Sequence, residues 1–521
     1  MLLQATRASV SLGLICAAFT LALVGELLPV DLTFFSENLV RPEQRKLMFL
    51  FMAAGFVAVS GSAMFVSRRD GNSIGAEWLA RLLCPLLVAP VAVALVRRGW
   101  ADDAVLAITL ALFVLSLERL LRESAAAWAE RPAGLGDTLL GWPRAFFAKP
   151  NRVLGALLVL ATAHTVFMST WAIYAHQRFF TYSADLGQYD QVFQSWLHGT
   201  PLRLPTLMWG ETWGGLNGHA DFASLYMLPI YLLHPRAETL LVMQAAALAY
   251  SSVAVFLFAR SRLPLAAAFA LGLAWLLYAP FHGAQLYDVH MQPFGASWAM
   301  WAIAMVELKR FKTYWLFFVF AILCREDVSI GLFGLGAFMF LSGWRPRTGI
   351  ATALLAAGYF LLLRFVLMPN QQFADTFKQL YPPGESGFIA IIKTIVSNPG
   401  FTLRTLTQLE KIAYVCQVFA PLAFLSWRRP LHWVMMINGF LLTLVSTQYL
   451  PTISISFQYV CNWAPYAFAG TVMTLGALDA PRRNAGVWAV VIAVSVACLQ
   501  WGAYSPQLTV KGGFSPVPLQ A

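Results

Sequence analysis

The chain is 521 residues long, 59% hydrophobic and only 12% charged. Soluble domains usually carry about 25% charged residues, so this composition excludes an ordinary soluble protein and indicates a membrane protein. The net charge is +11, but the basic residues lie mostly in short loops between apolar runs, where they set topology and meet anionic lipid. Because they form no basic stripe, nucleic acid is excluded as a partner.

The six cysteines lie in or beside apolar runs, and none forms a CxxC pair. We interpret them as small buried hydrophobic residues and not as a disulfide or metal framework. The fold is therefore expected to depend on apolar packing.

Apolar runs of about 20 residues, the length that crosses a bilayer, recur along the chain. They predict an all-α, polytopic membrane protein with about fifteen transmembrane helices. The first run lacks a clear small-residue cleavage site, so we expect it to remain a helix and not to be removed as a signal peptide. The predicted cores are 9–30, 47–67, 80–96, 104–121, 152–175, 238–259, 264–281, 293–308, 314–324, 328–341, 349–368, 409–426, 431–446, 457–477 and 486–503.

The distribution of Lys and Arg predicts the orientation of these helices. Basic residues collect in the inner loops if the N-terminus is cytoplasmic, and the C-terminus then lies outside. The two long loops, 176–237 and 369–408, also lie outside. The inner loop 122–151 is rich in Ala, Trp and Phe, which predicts a helix lying on the inner membrane surface.

Two of the predicted helices, 314–324 and 328–341, are too short to cross the membrane. Each would be about 16–21 Å long, against a hydrocarbon core of about 30 Å. The charged tip between them, Arg325, Glu326 and Asp327, would lie below the outer surface. Charges there are costly unless they pair or line a wet cavity, so we predict an outward-facing polar bowl. Arg325 either binds a phosphate through its planar guanidinium or neutralises one of the two carboxylates.

The first long loop opens with two carboxylates, Asp185 and Asp190, ahead of a short amphipathic helix. Asp190 either caps the start of that helix, where negative charge is favoured, or binds substrate. Asp185 lies one turn earlier beside the flexible Gly187, and is the better candidate for chemistry. The apolar face of the helix is predicted to rest on the membrane; its residues are Tyr189, Val192, Phe193, Trp196 and Leu197.

Two later motifs bring histidine and aspartate together: His219 with Asp221, and Asp288 with His290. Such groups are typical ligands of divalent ions, so Mg²⁺ or Mn²⁺ is a candidate cofactor. A hydrogen-bonded scaffold for the loops explains the motifs equally well, and no cofactor is certain. The candidate metal ligands are Asp185, Asp288 and His290.

Several motifs resemble, in order, the bacterial membrane-protein family known as domain of unknown function 2079: DLGQYDQ, GHADF followed by LPIYLLHP, LYDVHMQP, REDVSIGL, and LYPPGES with SNPG. The resemblance runs from about 152 to 478 and leaves the first 150 residues as an added four-helix module. Two positions depart from the family pattern. Phe457-Gln458-Tyr459 stands where a His-Tyr pair is common, and Arg325 stands where Lys is frequent.

That family is similar in architecture to the GT-C glycosyltransferase superfamily. The resemblance implies a GT-C-like core, an acidic general base just after the first core helix, and a sugar donor carried on polyprenyl phosphate. The first core helix would be 152–175 and the base Asp185. The chain would then divide into the N-terminal module 1–150, the core 151–480, and a C-terminal helix with an outer tail, 481–521.

The predicted function is transfer of a sugar from a polyprenyl-phosphate donor to an envelope glycan, lipid or protein acceptor at the outer face of the bacterial inner membrane. The alternatives are a flippase for a lipid-linked glycan and a non-catalytic scaffold of an envelope-assembly complex. Transporters often contain inverted repeats, and none is visible here. Arg364, near the outer end of its span, either reaches the lipid headgroups or holds a lipid phosphate. The candidate substrate-binding residues are Asp190, Gln191, His219, Asp288, His290, Arg325, Glu326, Asp327, Arg364 and Tyr459.

Overall fold

A computed structural model describes most of the chain from the fourth predicted span onwards and parts of what precedes it. The described residues are 11–18, 74–96, 103–130, 145–181, 183–200, 203–206, 210–213, 219–220, 222–368, 375–381, 385, 388–447 and 449–504. The predicted span 47–67 and most of 9–30 lie outside them.

The described chain is helical except for one antiparallel hairpin, β1 (Arg203–Thr206) paired with β2 (Gly210–Trp213). This hairpin lies in the first long loop and departs from the predicted all-α fold. The α-helices from residue 74 onwards are α1 (Ile74–Leu83), α2 (Ala89–Val96), α3 (Asp103–Ala129), α4 (Pro150–Gln177), α5 (Gln188–Leu197), α6 (Ser224–Tyr231), α7 (Ala237–Arg260), α8 (Leu265–Leu276), α9 (Ala279–Leu286), α10 (Met291–Glu307), α11 (Phe311–Ile322), α12 (Glu326–Leu341), α13 (Pro346–Leu362), α14 (Phe388–Ser397), α15 (Pro399–Leu406), α16 (Leu409–Phe419), α17 (His432–Met435), α18 (Ile437–Gly439), α19 (Ala464–Gly476) and α20 (Ala480–Trp501).

Shorter 3₁₀ and π-helical turns lie between these helices. The 3₁₀ turns are Cys84–Val88, Asp375–Leu380, Ala420–Leu422, Leu425–Arg428, Leu450–Ile453 and Gln458–Asn462, and the π-helical turns are Ser183–Gly187, Leu363–Leu367 and Phe440–Leu444.

Among the described residues, six helical stretches are long and apolar enough to cross a membrane. They are Glu77–Val96, Asp103–Ala129, Pro150–Gln177, Ala237–Arg260, Pro346–Leu367 and Ala480–Trp501. The count rises to seven if α8 and α9, which are bent by 40° relative to each other, form one span. The chain is therefore a membrane protein with several apolar helices, and the count of fifteen spans stays a prediction.

Several predicted spans are interrupted in the structure. Segment 431–446 is divided into α17, α18 and a π-helical turn, and segment 457–477 begins with a 3₁₀ turn before α19. Pro85 and Pro465 stand at the start of new elements. Proline fixes φ and lacks an N–H, so it favours the beginning of an element over its interior.

The predicted surface helix 122–151 is wrong in its first part, because α3 continues without a break to Ala129. The side chain of Ser124 donates to the carbonyl of Leu82, and Trp78 Nε1 donates to the carbonyl of Ala127 at 2.6 Å. These contacts with the preceding helix extend α3 beyond its apolar run. Residues 131–144 lie outside the described part of the chain.

One apolar core joins most of the bundle. Helix α7 packs against α4, α8 and α10, α12 packs against α13, and α3 packs against α16 and α20. Gly439 shows how close the packing is, since a Cβ atom there would lie 2.1 Å from the ring of Trp463. Helix α10, with 17 residues, is about 25 Å long, so His290 before it and Glu307 at its end lie at opposite ends of the bundle.

Candidate functional site

Asp185 lies in the π-helical turn between α4 and α5. The hydroxyl of Tyr287 donates to its Oδ2 at 3.0 Å, and His290 Nε2 lies 3.4 Å from its Oδ1. Tyr287 and His290 flank the connection between α9 and α10, and their rings stack with centroids 5.2 Å apart. Two motifs that are about a hundred residues apart in sequence therefore meet at one carboxylate.

His290 and Asp185 are close enough to form an ion pair when the imidazole is protonated. His290 Nδ1 lies 2.9 Å from the carbonyl oxygen of Asp288, which can only accept, so Nδ1 carries a proton. A hydrogen bond between Nε2 and Asp185 then needs a second proton at that contact. The ion pair therefore forms only when both ring nitrogens carry a proton.

The surroundings of Asp185 favour its ionised form. Burial raises the pKa of the carboxyl group, but the hydrogen bond and charge of His290, the hydrogen bond of Tyr287 and the charge of Arg325 outweigh it. The pKa of Asp185 is therefore lower than that of an ordinary aspartate, and the group is a carboxylate near neutral pH.

Asp190 has a different environment in the first turn of α5. The hydroxyl of Tyr231 donates to Asp190 Oδ1 at 2.6 Å, and Gln194 Nε2 donates to the same hydroxyl at 2.7 Å. Burial raises the pKa of Asp190, and the hydrogen bond from Tyr231 offsets only part of that rise. Asp190 thus ties α5 to α6, and the neighbouring Gln191 is exposed.

The apolar face of α5 packs on the protein, which corrects the prediction that it rests on the membrane. Tyr189, Val192 and Phe193 are buried in the main core, and the Phe193 ring lies 4.9 Å from that of Tyr231. Leu197, at the end of the helix, is exposed. The packing of α5 against α6 and α7 covers the face that would otherwise need lipid.

The predicted break at the charged tip is confirmed. Helix α11 ends at Ile322 and α12 begins at Glu326, with Arg325 between them in an extended conformation (φ −165°, ψ 153°). The Arg325 Nε atom is buried, and lies 3.6 Å from Glu326 Oε1 and 3.7 Å from Asp327 Oδ1. Within the described part of the chain, its guanidinium makes no hydrogen bond. Its charge acts on Asp185 and on the hydroxyl groups of Tyr189 and Tyr459.

The two carboxylates at the tip are covered, so they do not line the wet cavity that the predicted polar bowl requires. Glu326 and Asp327 are 2% and 6% exposed. Glu326 Oε1 lies 2.7 Å from His219 Nδ1, and the N–H of Ala220 donates to Oε2 at 2.9 Å. Gln292 Nε2 reaches Asp327 Oδ2 at 3.4 Å. Buried carboxylates need donors, and for Glu326 the segment 219–220 supplies them.

The site just described lies inside a family match. The family model described as "predicted membrane protein (DUF2079)" matches residues 175–511. The chain belongs to this family. The match begins later and ends farther along than the predicted 152–478, so it includes α20. No curated protein and no solved structure matches.

Three more predicted residues of this DUF2079 chain lie around the site in different ways. The described contacts of Asp288 are through its carbonyl, which accepts from His290 and from Gln244, as a scaffold would. Tyr459 lies in a 3₁₀ turn with its ring 5.9 Å from that of Tyr449. Arg364 contacts its own turn: its Nη1 atom lies 3.5 Å from the carbonyl oxygen of Met368.

The predicted metal ligands meet only in part. Asp185 and His290 are in contact, whereas Asp288 joins them through its main chain. Asp221 lies outside the described residues. Where the DUF2079 chain is described, no three His, Cys, Asp or Glu side chains form a group that could hold a metal ion.

Sequence reasoning missed the residues that connect the DUF2079 site. Tyr287 was visible in the LYDVHMQP motif, next to Asp288, and its hydroxyl is the donor nearest to Asp185. Gln244 and Gln292 are buried in apolar helices. A glutamine inside an apolar run was the sequence signal that could have identified them. Phe457, in the run Phe457-Gln458-Tyr459, packs its ring 4.8 Å from that of Tyr287.

Proposed function

We propose that this protein is a membrane glycosyltransferase that moves a sugar from a polyprenyl-phosphate donor to an envelope glycan, lipid or protein. One observation carries the proposal. The ionised Asp185 is held by Tyr287 and His290 beside Arg325, whose buried guanidinium has no hydrogen bond among the described residues. A proton acceptor and an anion binder thus lie next to each other.

In this reaction Asp185 accepts the proton of an acceptor hydroxyl as its oxygen attacks the anomeric carbon of the donor. The new C–O bond forms while the bond from that carbon to the phosphate oxygen breaks, which inverts the anomeric centre. A base aligned in this way contributes about 10²–10⁴-fold to the rate. Tyr287 and His290 hold the carboxylate and keep it ionised.

Arg325 stabilises the departing phosphate. A buried guanidinium without hydrogen bonds is costly, and phosphate oxygens match its fork of N–H groups. Donors arranged in advance around a developing charge stabilise the transition state without further reorganisation. His219, through Glu326, holds the tip on which Arg325 lies.

We further propose a GT-C-like core of about fifteen spans, with the N-terminus in the cytoplasm and the site at the outer face of the bacterial inner membrane. Basic residues support this orientation, because they gather at the end of the bundle opposite the site. Arg262, Lys309 and Arg345 lie there, close to Glu307. Lys and Arg are enriched in cytoplasmic loops.

The position of the charges weighs against a flippase. Alternating access usually places the substrate site near the middle of the membrane. Asp185, His290 and Arg325 instead precede the first turns of helices at one end of the bundle.

The proposal is tested with the full chain purified into nanodiscs and a panel of polyprenyl-phosphate sugars, with envelope glycan, lipid and peptide acceptors. We expect release of polyprenyl phosphate that depends on both donor and acceptor. Movement of a labelled donor across proteoliposomes without any release of polyprenyl phosphate would contradict sugar transfer and favour transport.

A further inference from the structure

Gln244 is a fully buried residue of α7 that binds the main chain between α9 and α10. Its Oε1 accepts from the N–H of His290 at 2.9 Å. Its Nε2 donates to the carbonyl of Ala284 at 3.0 Å and reaches that of Asp288 at 3.4 Å. Both amide hydrogens and the oxygen of one side chain are thus used to hold one short connection.

His164, a buried residue of α4, holds the same region from another side. Its Nε2 donates to Gln285 Oε1 at 2.8 Å, so its Nδ1 is free to accept from the hydroxyl of Tyr504, 2.6 Å away. His282 Nδ1 accepts from the N–H of Ala503 at 3.1 Å. The residues that follow α20 therefore contact both histidines.

Polar side chains inside apolar helices are costly, and apolar residues of similar size would fill the same space. The held connection includes Tyr287 and His290, the two residues that contact Asp185. His164 lies on α4, the helix that Asp185 follows. The hydrogen bonds from α4 and α7 thus fix Tyr287 and His290 relative to the carboxylate of Asp185.

We propose that Gln244 and His164 form a clamp that positions Tyr287 and His290 on Asp185. This clamp rests on the proposed function, in which Asp185 is the base, and it adds two positioning residues that do not themselves touch substrate. Gln244 fixes the main chain at His290, while His164 fixes the helical turn before Tyr287.

The first experiment needs no donor. In Asp185→Cys, the ring of His290 lies against a thiol, and when that ring is protonated its charge lowers the pKa of the thiol below the usual value of about 8.5. The rate of labelling by a water-soluble methanethiosulfonate is measured against pH in nanodiscs, with the parent chain as the blank for native cysteines. Tyr287 and Arg325 also face this position and are kept unchanged.

When Gln244→Met is added to the Asp185→Cys chain, the pH dependence of the labelling rate should shift to higher pH, towards that of a free thiol. The reason is that Gln244 no longer holds the main chain at His290. His164→Leu should move it in the same direction from the α4 side. Ser251→Ala is the matched control, since Ser251 is buried on α7 and donates only within its own helix. Profiles that stay superimposed in both clamp variants overturn the proposal, and a variant that does not fold leaves the other to decide.

A second measurement separates the clamp from the proposed function. In the chain that keeps Asp185, Gln244→Met should lower kcat more than it changes KM for the donor. It should also move the acid limb of the pH profile to higher pH. Absence of sugar transfer in the unmodified chain would refute the proposed function. The thiol profile would still decide whether the clamp exists.

Discussion

The charged residues at the two ends of the bundle differ in their hydrogen bonds. At the basic end, Glu307 accepts from Arg262 at 2.8 Å, from Trp344 at 2.8 Å and from Ser261 at 2.9 Å. At the site end, Arg325 pairs with Glu326 and Asp327 by charge but makes no hydrogen bond among the described residues, and Asp327 Oδ1 is buried without a hydrogen bond. Both ends contain an arginine beside a carboxylate, and the Nε atom of each arginine is buried without a hydrogen bond. The difference is that Arg262 donates to Glu307 through Nη2, whereas Arg325 donates to neither of its neighbouring carboxylates.

In the proposed function, this difference separates charges that hold the fold from charges that bind the donor. Buried polar groups in native proteins are almost always hydrogen-bonded, so an exception calls for an explanation. Glu307 and Arg262 join the connections at the ends of α7, α10 and α12, which is a structural role. In the proposed function, the phosphorylated donor would supply hydrogen-bond partners for Arg325.

The largest effect should come from the carboxylate at the site end. Asp185→Asn keeps the shape of the side chain but cannot accept a proton, so turnover should fall about 10²–10⁴-fold. Donor binding should change little, because the carboxylate acts on the acceptor. Both are measured on nanodisc protein, by release of polyprenyl phosphate and by direct binding.

Asp190→Asn is the control for this substitution, since Asp190 holds Tyr231 and should affect the rate less. Full activity in Asp185→Asn would end the claim that Asp185 is the base. Equal, severe loss in both variants would instead indicate a coupled pair of acids.

The next effect compares the two arginines directly. Arg325→Met should weaken binding of the phosphorylated donor by about 1.5–3 kcal/mol, or roughly 10–150-fold, because hydrogen bonds to a charged group are lost. Arg262→Met removes the same side chain from the basic end, where Arg262 donates to Glu307, and should leave donor affinity unchanged. Similar losses of affinity in both would remove the distinction between the two ends. Arg325→Lys, which keeps the charge but loses the fork, should be intermediate.

A smaller effect concerns stability at the basic end. Glu307→Gln removes the charge that accepts from Arg262 and should lower the free energy of unfolding by about 1–3 kcal/mol. The change appears as a lower midpoint of thermal unfolding in detergent. Turnover below that midpoint should match the unmodified chain; a selective loss of turnover would mean that Glu307 has a role beyond the fold.

The smallest effect at neutral pH is expected from His290→Gln. The pKa of Asp185 is lowered, so its proton-accepting form is complete at neutral pH and is lost only as the pH falls through that low value. His290→Gln removes a charge that offsets the effect of burial on Asp185, so the pKa of Asp185 should rise. The acid limb of kcat/KM should therefore move to higher pH, with little change near pH 7. A shift in the other direction would contradict the ion pair.

Much of the site could be predicted because its residues carry local signals. Charges between two short apolar runs predicted the break at Arg325, and a carboxylate just after a long apolar helix singled out Asp185. Which residues contact each other could not be predicted in this way. Asp185 and His290 are far apart in sequence, and nothing local states that they meet.

The errors have the same origin. Periodicity identified an apolar face on α5 but could not say whether lipid or protein covers it, and α6 with α7 proved to be the cover. A continuous apolar run predicted one span over 431–446, where the backbone is divided into several short turns. In the second long loop, α14 packs only part of its apolar surface, and Ile389 and Val396 stay exposed.

The breaks that end helices at the site also begin new ones there. Helices α10 and α12 start immediately after His290 and Arg325, which are both extended. Each start leaves main-chain N–H groups without partners in their own helix, and carries about half a positive charge. The backbone itself therefore supplies an attractive field for anions at this end, which no side-chain substitution removes. Even without Arg325, the protein should retain a residual preference for a phosphorylated polyprenol over the free alcohol.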